Sequence, residues 1–335
     1  MKISRIFIEE QVKDHPRTLK ILSRFSAVSV TVIRKVEDVF GRVKKPYLQK
    51  RETLNLFVGR KEGTVVKRAP DAYGLKEDPH YYFVHAYNCI YECEYCYLQG
   101  YFHSPDLVFF INHEEIGKEM VRLIEKVHPE KTVWFHAGEF SDSLALSHIT
   151  DEWPFYFDLF SKFPRAKLEL RTKSVNIAAI KALTPQKNIL ITYSLSPDIL
   201  AQKYDRNTPS INSRLKAMET LASLGHPIGI HFDPIVCFDE VESAYEELIE
   251  KIVKKIPSEK IEYISLGAIR FSKQAYRAVE KNYSASDLLA ADFMKSSDDK
   301  VRYPRPLRLY LLNKVRDLCL SAGIDRRKIY LCMES

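Results

Sequence analysis

Residues 87–102 read YNCIYECEYCYLQGYF and place three of the chain's six cysteines within eight residues. The three are Cys89, Cys93 and Cys96, with the spacing C-x3-C-x2-C. A chain that leaves a strand and turns through this spacing brings three sulfurs toward one point, which a straight strand or helix would not do. The stretch therefore predicts a metal-binding loop with one ligand fewer than a closed tetrahedral site requires.

On the C-terminal side of this loop, and just before it, apolar runs alternate with amphipathic stretches. The strand-like runs are, in order, YYFVHAY, KTVWFHA, AKLELRT, NILITYSLS, PIGIHFDPIV and IEYISLGAI. The helical patterns cover residues 113–128, 153–162, 176–183, 208–224, 240–256 and 273–282. Such alternation indicates parallel strands with helical crossovers. We predict an α/β fold, a partial (β/α)6 TIM-type barrel whose functional groups collect at the carboxyl ends of its strands.

Two extensions flank the predicted barrel, which spans residues 79–284. Residues 1–78 form a mixed α/β N-terminal extension with the strand-like runs IFIEE, VSVTVI and LNLFVGR. Residues 285–335 form a C-terminal extension that ends in a helix and the strand-like KIYLCM, and that could bind DNA. A chain of 335 residues with 45% hydrophobic content can bury a large core without disulfides.

Charge and hydropathy limit the compartment and the partners. The formal net charge of +7 suits a polyanionic partner without requiring one. No stretch approaches the roughly twenty apolar residues of a membrane span, and the N-terminal MKISRIFIEEQVKDH is charged throughout. We therefore expect a cytoplasmic protein without membrane attachment. In a reducing compartment the scattered Cys237, Cys319 and Cys332 are small buried hydrophobes by default.

Three chemistries compete for the clustered cysteines. A zinc ion could complete four ligands with His85 or His103, although no second ligand pair follows in the sequence. The thiols could also remain unligated. A four-iron cluster normally takes four thiolates, so three would leave one iron open to an external chelate.

The motif Cys93-Glu94-Tyr95-Cys96, placed just after the first strand of a βα series, resembles the radical S-adenosylmethionine (SAM) superfamily. That resemblance implies a partial six-unit barrel and a [4Fe-4S] cluster whose open iron binds SAM. It also implies cleavage of SAM to a 5′-deoxyadenosyl radical.

The stretch CEYCYLQ is more specifically similar to the spore photoproduct lyase family, which repairs a thymine dimer in DNA. Further similar stretches follow the same order along nearly the whole chain: LNLFVGRKEGTVVK, PDLVFFINHEEI, TVWFHAGEFSDS, RTKS, TYSLSP and GHPIGIHFDPI.

The resemblance assigns roles to residues of this chain. It makes Cys89, Cys93 and Cys96 the cluster ligands, and it places Tyr95 by the SAM adenine and Tyr97 as a relay of a hydrogen atom. The residues that it places in contact with SAM at strand ends are Ser141, Lys173 and Ser194. From the sequence alone, Lys173 could instead be a solvated surface lysine, and Ser141 could be a helix N-cap.

One position departs from the family pattern. The family has a cysteine there that returns a hydrogen atom to the substrate radical, whereas this chain has Glu139. A carboxyl O–H bond is too strong for that step. Glu139 could instead hold the SAM ammonium, as the Gly-Gly-Glu element of other radical SAM enzymes does. Cys237, after the fifth strand, is our candidate for the missing donor, and its alternative is a packed apolar cysteine.

These observations predict a radical SAM carbon–carbon lyase that repairs a pyrimidine dimer in DNA. Alternatives are a radical reaction on another modified or damaged base, and a non-catalytic, zinc-stabilised nucleic-acid-binding module. The expected partners are damaged DNA and a reductase or flavodoxin-type electron donor, and the expected state is a monomer. Basic segments with an aromatic residue predict DNA contacts, with a solvated basic face as the alternative. The predicted DNA contacts are Arg270, Lys273, Arg302, Tyr303 and Arg305.

Overall fold

The computed structural model describes residues 2–42, 53–70, 78–296 and 298–334. Its strands, in chain order, are β1 (Lys2–Glu9), β2 (Ser29–Ile33), β3 (Thr53–Gly59), β4 (Val66–Arg68), β5 (His80–Phe83), β6 (Ala86–Tyr87), β7 (Glu92–Cys93), β8 (Leu107–Phe110), β9 (Val133–Ala137), β10 (Ala166–Thr172), β11 (Ile189–Ser194), β12 (Asp205–Arg206), β13 (Ile228–Ile235), β14 (Ile261–Ala268), β15 (Arg270–Ser272), β16 (Met294–Lys295), β17 (Lys300–Arg302) and β18 (Ile329–Leu331).

The α-helices are α1 (Pro16–Ser23), α2 (Val36–Val39), α3 (Leu98–Tyr101), α4 (His113–Arg122), α5 (Ser147–Thr150), α6 (Trp153–Ser161), α7 (Ala178–Lys181), α8 (Asp198–Tyr204), α9 (Ile211–Ser223), α10 (Val241–Lys255), α11 (Lys273–Asn282) and α12 (Arg305–Ser321). A π-helical turn, Leu123–Val127, continues α4. Short 3-10 turns cover Glu10–Val12, Ser258–Lys260 and Arg326–Lys328.

The main sheet is a curled half-barrel of eight strands in the order β18-β14-β13-β11-β10-β9-β5-β4. Its neighbours are parallel except for the antiparallel pair β4–β5. The six predicted strands are β5, β9, β10, β11, β13 and β14, and the six predicted helical patterns contain α4, α6, α7, α9, α10 and α11. The prediction of a partial six-unit barrel is therefore confirmed.

Alternate residues separate the two faces of this sheet. In β10, Leu168 and Leu170 join the apolar core that includes the side chains of the covering helices. Glu169, between them, points the other way and bonds to polar side chains of neighbouring strands. Parallel strands covered on both faces usually read as continuous apolar runs. The alternation in these strands therefore reflects a polar inner face on the half-barrel.

A second sheet, which the sequence did not predict as a unit, packs beside the first in the order β2-β1-β3-β8-β6. Strands β6 and β8 flank the cysteine loop, and they pair with each other antiparallel. A buried carboxylate on β1 helps to join the elements of this unit: Glu9 accepts hydrogen bonds of 2.8 Å from the backbone N–H groups of Val36 and Arg60. The chain passes from β5 of the main sheet to β6 of the second sheet just before the cysteine loop, so the loop lies where the two sheets meet.

The C-terminal segment extends the half-barrel. Strand β18 pairs with β14 and lengthens the main sheet, while α12 packs against α10 and β14. Strands β15, β17 and β16 form a small antiparallel sheet beside it. The domain boundaries at residues 78 and 284 stay predictions. Among the described residues, no helix has the length and apolar character needed to cross a membrane.

The buried imidazole of His113 is expected to make stability depend on pH. Its Nδ1 lies 3.0 Å from the Tyr156 hydroxyl, and burial lowers its pKa well below the ordinary 6.5. The unfolded chain binds this proton near pH 6.5 and the folded chain does not, so stability is full above that pH and falls below it. Below about pH 6.5, His113 should make the free energy of unfolding fall by up to about 1.4 kcal/mol per pH unit, and His113→Gln should lack this contribution. Urea unfolding at several pH values measures it.

The matched control is His103→Gln, because His103 is exposed. An unchanged pH slope in His113→Gln would contradict the assignment of this acid sensitivity to His113.

Candidate active site

The cysteine loop between β6 and α3 is closed at its base by Asn88. This residue takes a left-handed backbone conformation, with φ of 62°, and its side-chain amide donates to the carbonyls of Ser104 at 2.8 Å and Asp106 at 2.7 Å. Farther along, the N–H of Cys96 donates to the carbonyl of Cys93 at 3.0 Å. These bonds hold the loop as a compact turn that contains the three cysteines.

The three thiols occupy one small cluster with Tyr91 and Ala145. Cys93 is buried, while Cys89 and Cys96 are half-buried. Burial raises the pKa of Cys93 to about 12 and that of Cys89 well above 9. Thiolates at these positions therefore need a bound cation to stabilise them, and a set of soft sulfur donors suits an iron–sulfur cluster.

A closed metal site is not formed by side chains alone in the described ranges, where no three His, Cys, Asp or Glu donors are arranged to hold an ion. The two histidines considered from the sequence as zinc ligands have other surroundings. The Nδ1 of His85 is 3.4 Å from a carboxylate oxygen of Glu152, and both side chains are buried. His103 is exposed. The three thiols of the loop therefore lie in one cluster without forming a preset ion site, and what suits them to an iron–sulfur cluster is the chemistry of their sulfur donors.

Lys173 follows the last residue of β10, and its ammonium lies beside one of these thiols. Its ammonium is 3.4 Å from the sulfur of Cys93 and 2.7 Å from a carboxylate oxygen of Asp205. It also donates to the hydroxyl of Tyr95 and lies 4.6 Å from the centre of that ring. Only 13% of the Lys173 side chain is exposed, so Lys173 is not a solvated surface residue.

Asp205 and Arg214 complete this polar group. The antiparallel pair β12–β7 sets Asp205 opposite Cys93. Arg214 is fully buried, and its guanidinium donates to Asp205 at 2.9 Å and to the carbonyl of Ser194 at 3.0 Å. Burial alone would raise the pKa of Asp205, but Lys173 and Arg214 lower it. Two cations share this one carboxylate, so the site has positive charge to offer an anion.

The sequence analysis missed Asp205 and Arg214, and only the second leaves a sequence signal. Arg214 falls at helical spacing among Ile211, Leu215 and Met218, all on the buried face of α9. A charged residue on an apolar helix face is rarely buried without a partner. Asp205 follows α8 in a segment without a recognisable motif, and it reaches Lys173 only through tertiary contact.

The end of β9 turns sharply at Gly138, whose φ is +89°. A Cβ here would lie 2.8 Å from the Ser143 hydroxyl and 2.9 Å from the Arg171 carbonyl, so glycine is required. Glu139 and Ser141 follow this turn, and both are half-buried at the carboxyl edge of the sheet. This position suits groups that face a shared mouth.

Asp142 caps the next turn and joins it to β10. One carboxylate oxygen accepts from the N–H groups of Leu144 at 2.9 Å and Ala145 at 2.8 Å, and the other accepts from the N–H of Lys173 at 2.8 Å. The side-chain cap considered for Ser141 is therefore made by Asp142. The bond from the N–H of Lys173 to Asp142 also fixes the backbone that carries the Lys173 side chain.

The carboxylate of Glu169 is buried on the inner face of the half-barrel. One oxygen of Glu169 is 2.8 Å from His231 Nε2 and accepts from the Thr192 hydroxyl at 2.9 Å, and the other contacts His136 Nδ1. Burial alone would raise the pKa of Glu169, but Arg171 and the two histidines hold it well below its ordinary value. We did not predict this network, although the alternation in KLELR was a usable signal.

Two predicted DNA contacts are not at the surface, which corrects that expectation. Tyr303 is fully buried, and its hydroxyl accepts from the N–H of Cys237 at 3.2 Å. Arg302 is 7% exposed and donates to the Ser296 hydroxyl at 2.9 Å. Arg302 is the last residue of β17, the middle strand of the small antiparallel sheet, and Tyr303 follows it, with its ring centre 4.7 Å from that of Phe293.

The other predicted positions differ in exposure. Arg270 is held by Asp233 through two bonds of 3.0 and 2.8 Å, and 19% of its side chain is exposed. Lys273 and Arg305 are exposed. Cys237 is half-buried and packs against the main apolar core. Of the five predicted DNA contacts, Lys273 and Arg305 are thus the two with exposed side chains.

A curled parallel sheet with a three-cysteine loop at the carboxyl ends of its strands is typical of radical SAM enzymes. A family model described as Spore photoproduct lyase matches residues 2–318. The chain therefore belongs to the spore photoproduct lyase family, radical SAM lyases that repair DNA photoproducts. Membership in this enzyme family overturns the alternative of a non-catalytic zinc module.

Relatives with the same description span most of the chain. The spore photoproduct lyase of Bacillus subtilis is 25% identical over 293 residues, which cover 84% of this chain and 83% of the relative. That of Clostridium acetobutylicum is 24% identical over 286 residues, covering 85% and 83%.

Solved structures of spore photoproduct lyase share the fold. A mutant with dinucleoside spore photoproduct superposes with a TM-score of 0.83 at 17% identity, covering 98% of this chain and 97% of that one. Another mutant, with bound AdoMet (SAM) and dinucleoside spore photoproduct, gives a TM-score of 0.81 at 17% identity, with the same coverage.

Proposed function

We propose that Cys89, Cys93 and Cys96 hold a [4Fe-4S] cluster and that the enzyme cleaves a carbon–carbon bond of a thymine or other pyrimidine dimer in DNA. Such a cluster would supply an electron to SAM bound at its open iron, which yields the 5′-deoxyadenosyl radical that takes a hydrogen atom from the substrate. The observation that carries this proposal is the Lys173 ammonium, 3.4 Å from the Cys93 sulfur and nearly buried. A nearly buried cation beside a thiol of the three-cysteine loop suits an anionic ligand set.

The residues around the thiols can divide the polar ends of SAM between them. Lys173 is suited to the SAM carboxylate because Asp205 and Asp142 fix its position. Glu139 carries the charge that would hold the SAM ammonium. Ser141 and Ser194 lie at strand ends and can donate hydrogen bonds. Tyr95 would bound the adenine, with Lys173 against its ring.

The hydrogen-atom donor stays a prediction. Tyr97 is 38% exposed beside the cysteine loop, which suits a relay that contacts both SAM and substrate. Cys237 remains our candidate for the residue that replaces the family cysteine at Glu139. The external reductase or flavodoxin-type electron donor and the monomeric state also stay predictions.

Glu139 favours a second candidate function, a radical reaction on a different damaged or modified base. A carboxyl group at this position changes how the substrate radical can be quenched. It also changes the charge that the substrate meets.

The test is anaerobic reconstitution with iron and sulfide, followed by reduction with SAM and ultraviolet-irradiated thymidine oligonucleotides. We expect a brown protein that forms 5′-deoxyadenosine and restores thymines, as resolved by mass spectrometry. Repair of another lesion, or of an oligonucleotide with a modified base, would support the second candidate instead. A colourless protein that forms no 5′-deoxyadenosine would contradict both.

A further inference from the structure

The short helix α3, which follows the cysteine loop directly, is fixed against α11. Gly100 makes the closest contact: a Cβ there would lie 2.5 Å from the Cα of Ala275. Each helix has an exposed residue near this contact. Tyr101 follows Gly100 on α3, and Lys273 lies two residues before Ala275 on α11. The place of the Tyr101 backbone is therefore set by packing, although 54% of Tyr101 remains exposed.

Other aromatic rings support Tyr101 from behind. Its ring centre lies 5.1 Å from that of Phe140 and 5.0 Å from that of Phe102. Phe140 in turn contacts Tyr82, at 5.7 Å between ring centres. Phe140 is buried in a core cluster, so Tyr101 is the exposed end of a packed aromatic group. We call Tyr82, Tyr101, Phe102 and Phe140 the aromatic ledge.

The ledge lies next to the proposed reaction site. Phe140 follows Glu139 in the chain, just beyond the carboxyl end of β9. Tyr101 lies five residues after Cys96. A substrate seated at Glu139 and the cysteine loop would therefore extend over this group.

Cations border the ledge. The ammonium of Lys67 lies 5.6 Å from the ring centre of Phe140, and Lys273 is exposed beyond Gly100. The ammonium of Lys61 lies 6.0 Å from the ring of Phe110, in the same core cluster as Phe140. Lys67 lies against the ring of Phe140, and Lys273 lies two residues before Ala275, against which Gly100 packs. Cations near an exposed aromatic residue suit stacked bases with their phosphates.

We propose that the aromatic ledge is a nucleic-acid contact in which Tyr101 stacks on a DNA base that flanks the lesion, while Lys67 and Lys273 neutralise phosphates. This inference rests on the proposed function, because it takes DNA as the substrate. It adds Tyr101 and Lys67 to the DNA contacts expected from the sequence, of which Lys273 is one. An exposed aromatic that already has its position fixed loses little conformational freedom on binding.

The test measures the affinity of the reconstituted protein for a fluorescein-labelled, ultraviolet-irradiated thymidine oligonucleotide by anisotropy. We expect Tyr101→Ala to weaken binding about tenfold or more, because one base stack is lost, and Tyr101→Phe to keep it. Tyr310→Ala is the matched control, since Tyr310 is also exposed, at 47%, but lies on α12. Lys67→Gln should reduce the slope of log affinity against log salt by about one.

Iron content and SAM cleavage without DNA are measured on the same variants and should stay unchanged in Tyr101→Ala. Equal affinities of wild type and Tyr101→Ala would overturn the proposal that the ledge contacts DNA, while leaving the proposed function intact. So would an equal loss in Tyr101→Ala and Tyr310→Ala. A wild-type protein that cleaves SAM but binds no oligonucleotide would overturn the DNA substrate, and the ledge with it.

Discussion

Replacing Cys93 by alanine is expected to abolish cluster binding and SAM cleavage, with a loss of about three orders of magnitude or more in the rate of 5′-deoxyadenosine formation. Cys93 is the buried member of the three thiols and the one that Lys173 contacts at 3.4 Å. Two remaining thiolates on the loop would leave two irons without a protein ligand, and the cluster would be lost. The measurements are iron content and visible absorbance after anaerobic reconstitution, with 5′-deoxyadenosine formed on reduction.

Cys319→Ala is the matched control for this change. Cys319 is also buried, but it lies on α12 within the main apolar core. It should keep the iron content and the SAM cleavage of the wild type. A Cys93→Ala protein with wild-type iron content would show that the loop does not hold the cluster in the way proposed.

Replacing Asp205 by asparagine is expected to lower the free energy of unfolding by about 3–5 kcal/mol, the usual cost of removing one partner from a buried ion pair. Its carboxylate bonds to Lys173 at 2.7 Å and Arg214 at 2.9 Å, and the Arg214 side chain is fully buried. Without that carboxylate, two buried cations repel each other in a poorly solvated site. Urea unfolding of the protein before cluster assembly measures the effect.

Asp198→Asn is the control, because Asp198 pairs with Lys251 at 3.0 Å and about a third of each side chain is exposed. It should cost less than about 1 kcal/mol. Adding Lys173→Met to Asp205→Asn should restore part of the lost stability, since one of the unpaired cations is removed. Equal effects of Asp205→Asn and Asp198→Asn would show that the buried pair does not contribute as described.

The parts of the fold that the sequence predicted are those with local signals. Each strand of the half-barrel carries its own apolar run, and each crossover helix carries its own periodicity, so six strands and six helices could be predicted one by one. The cysteine loop was also a local signal, because the three sulfurs are fixed by spacing within one turn. Glu139 could be recognised as a departure from the family pattern because the stretch that contains it, TVWFHAGEFSDS, is also a local signal.

The parts that were missed depend on contacts between distant segments. The pairing of β8 with β3 and β6 creates the second sheet, and short strands such as β6 have no periodic pattern of their own. Arg302 and Tyr303 read as a basic, aromatic surface segment, but both are buried by contacts with other segments, such as the ring of Phe293 against Tyr303. Exposure is a property of packing, and residue type alone does not determine it.

The sequence by itself determined a half-barrel of six βα units and a loop with three thiols at the end of its first strand. It determined these because strand, helix and loop preferences act over a few neighbouring residues. Only the tertiary structure decided that Asp205 and Arg214 fix Lys173 beside Cys93, and that Tyr101 stands exposed on a support of packed aromatic rings. Buried charges and packed rings are stabilised by partners far away in the chain, and those partners meet only when the two sheets and their helices have packed together.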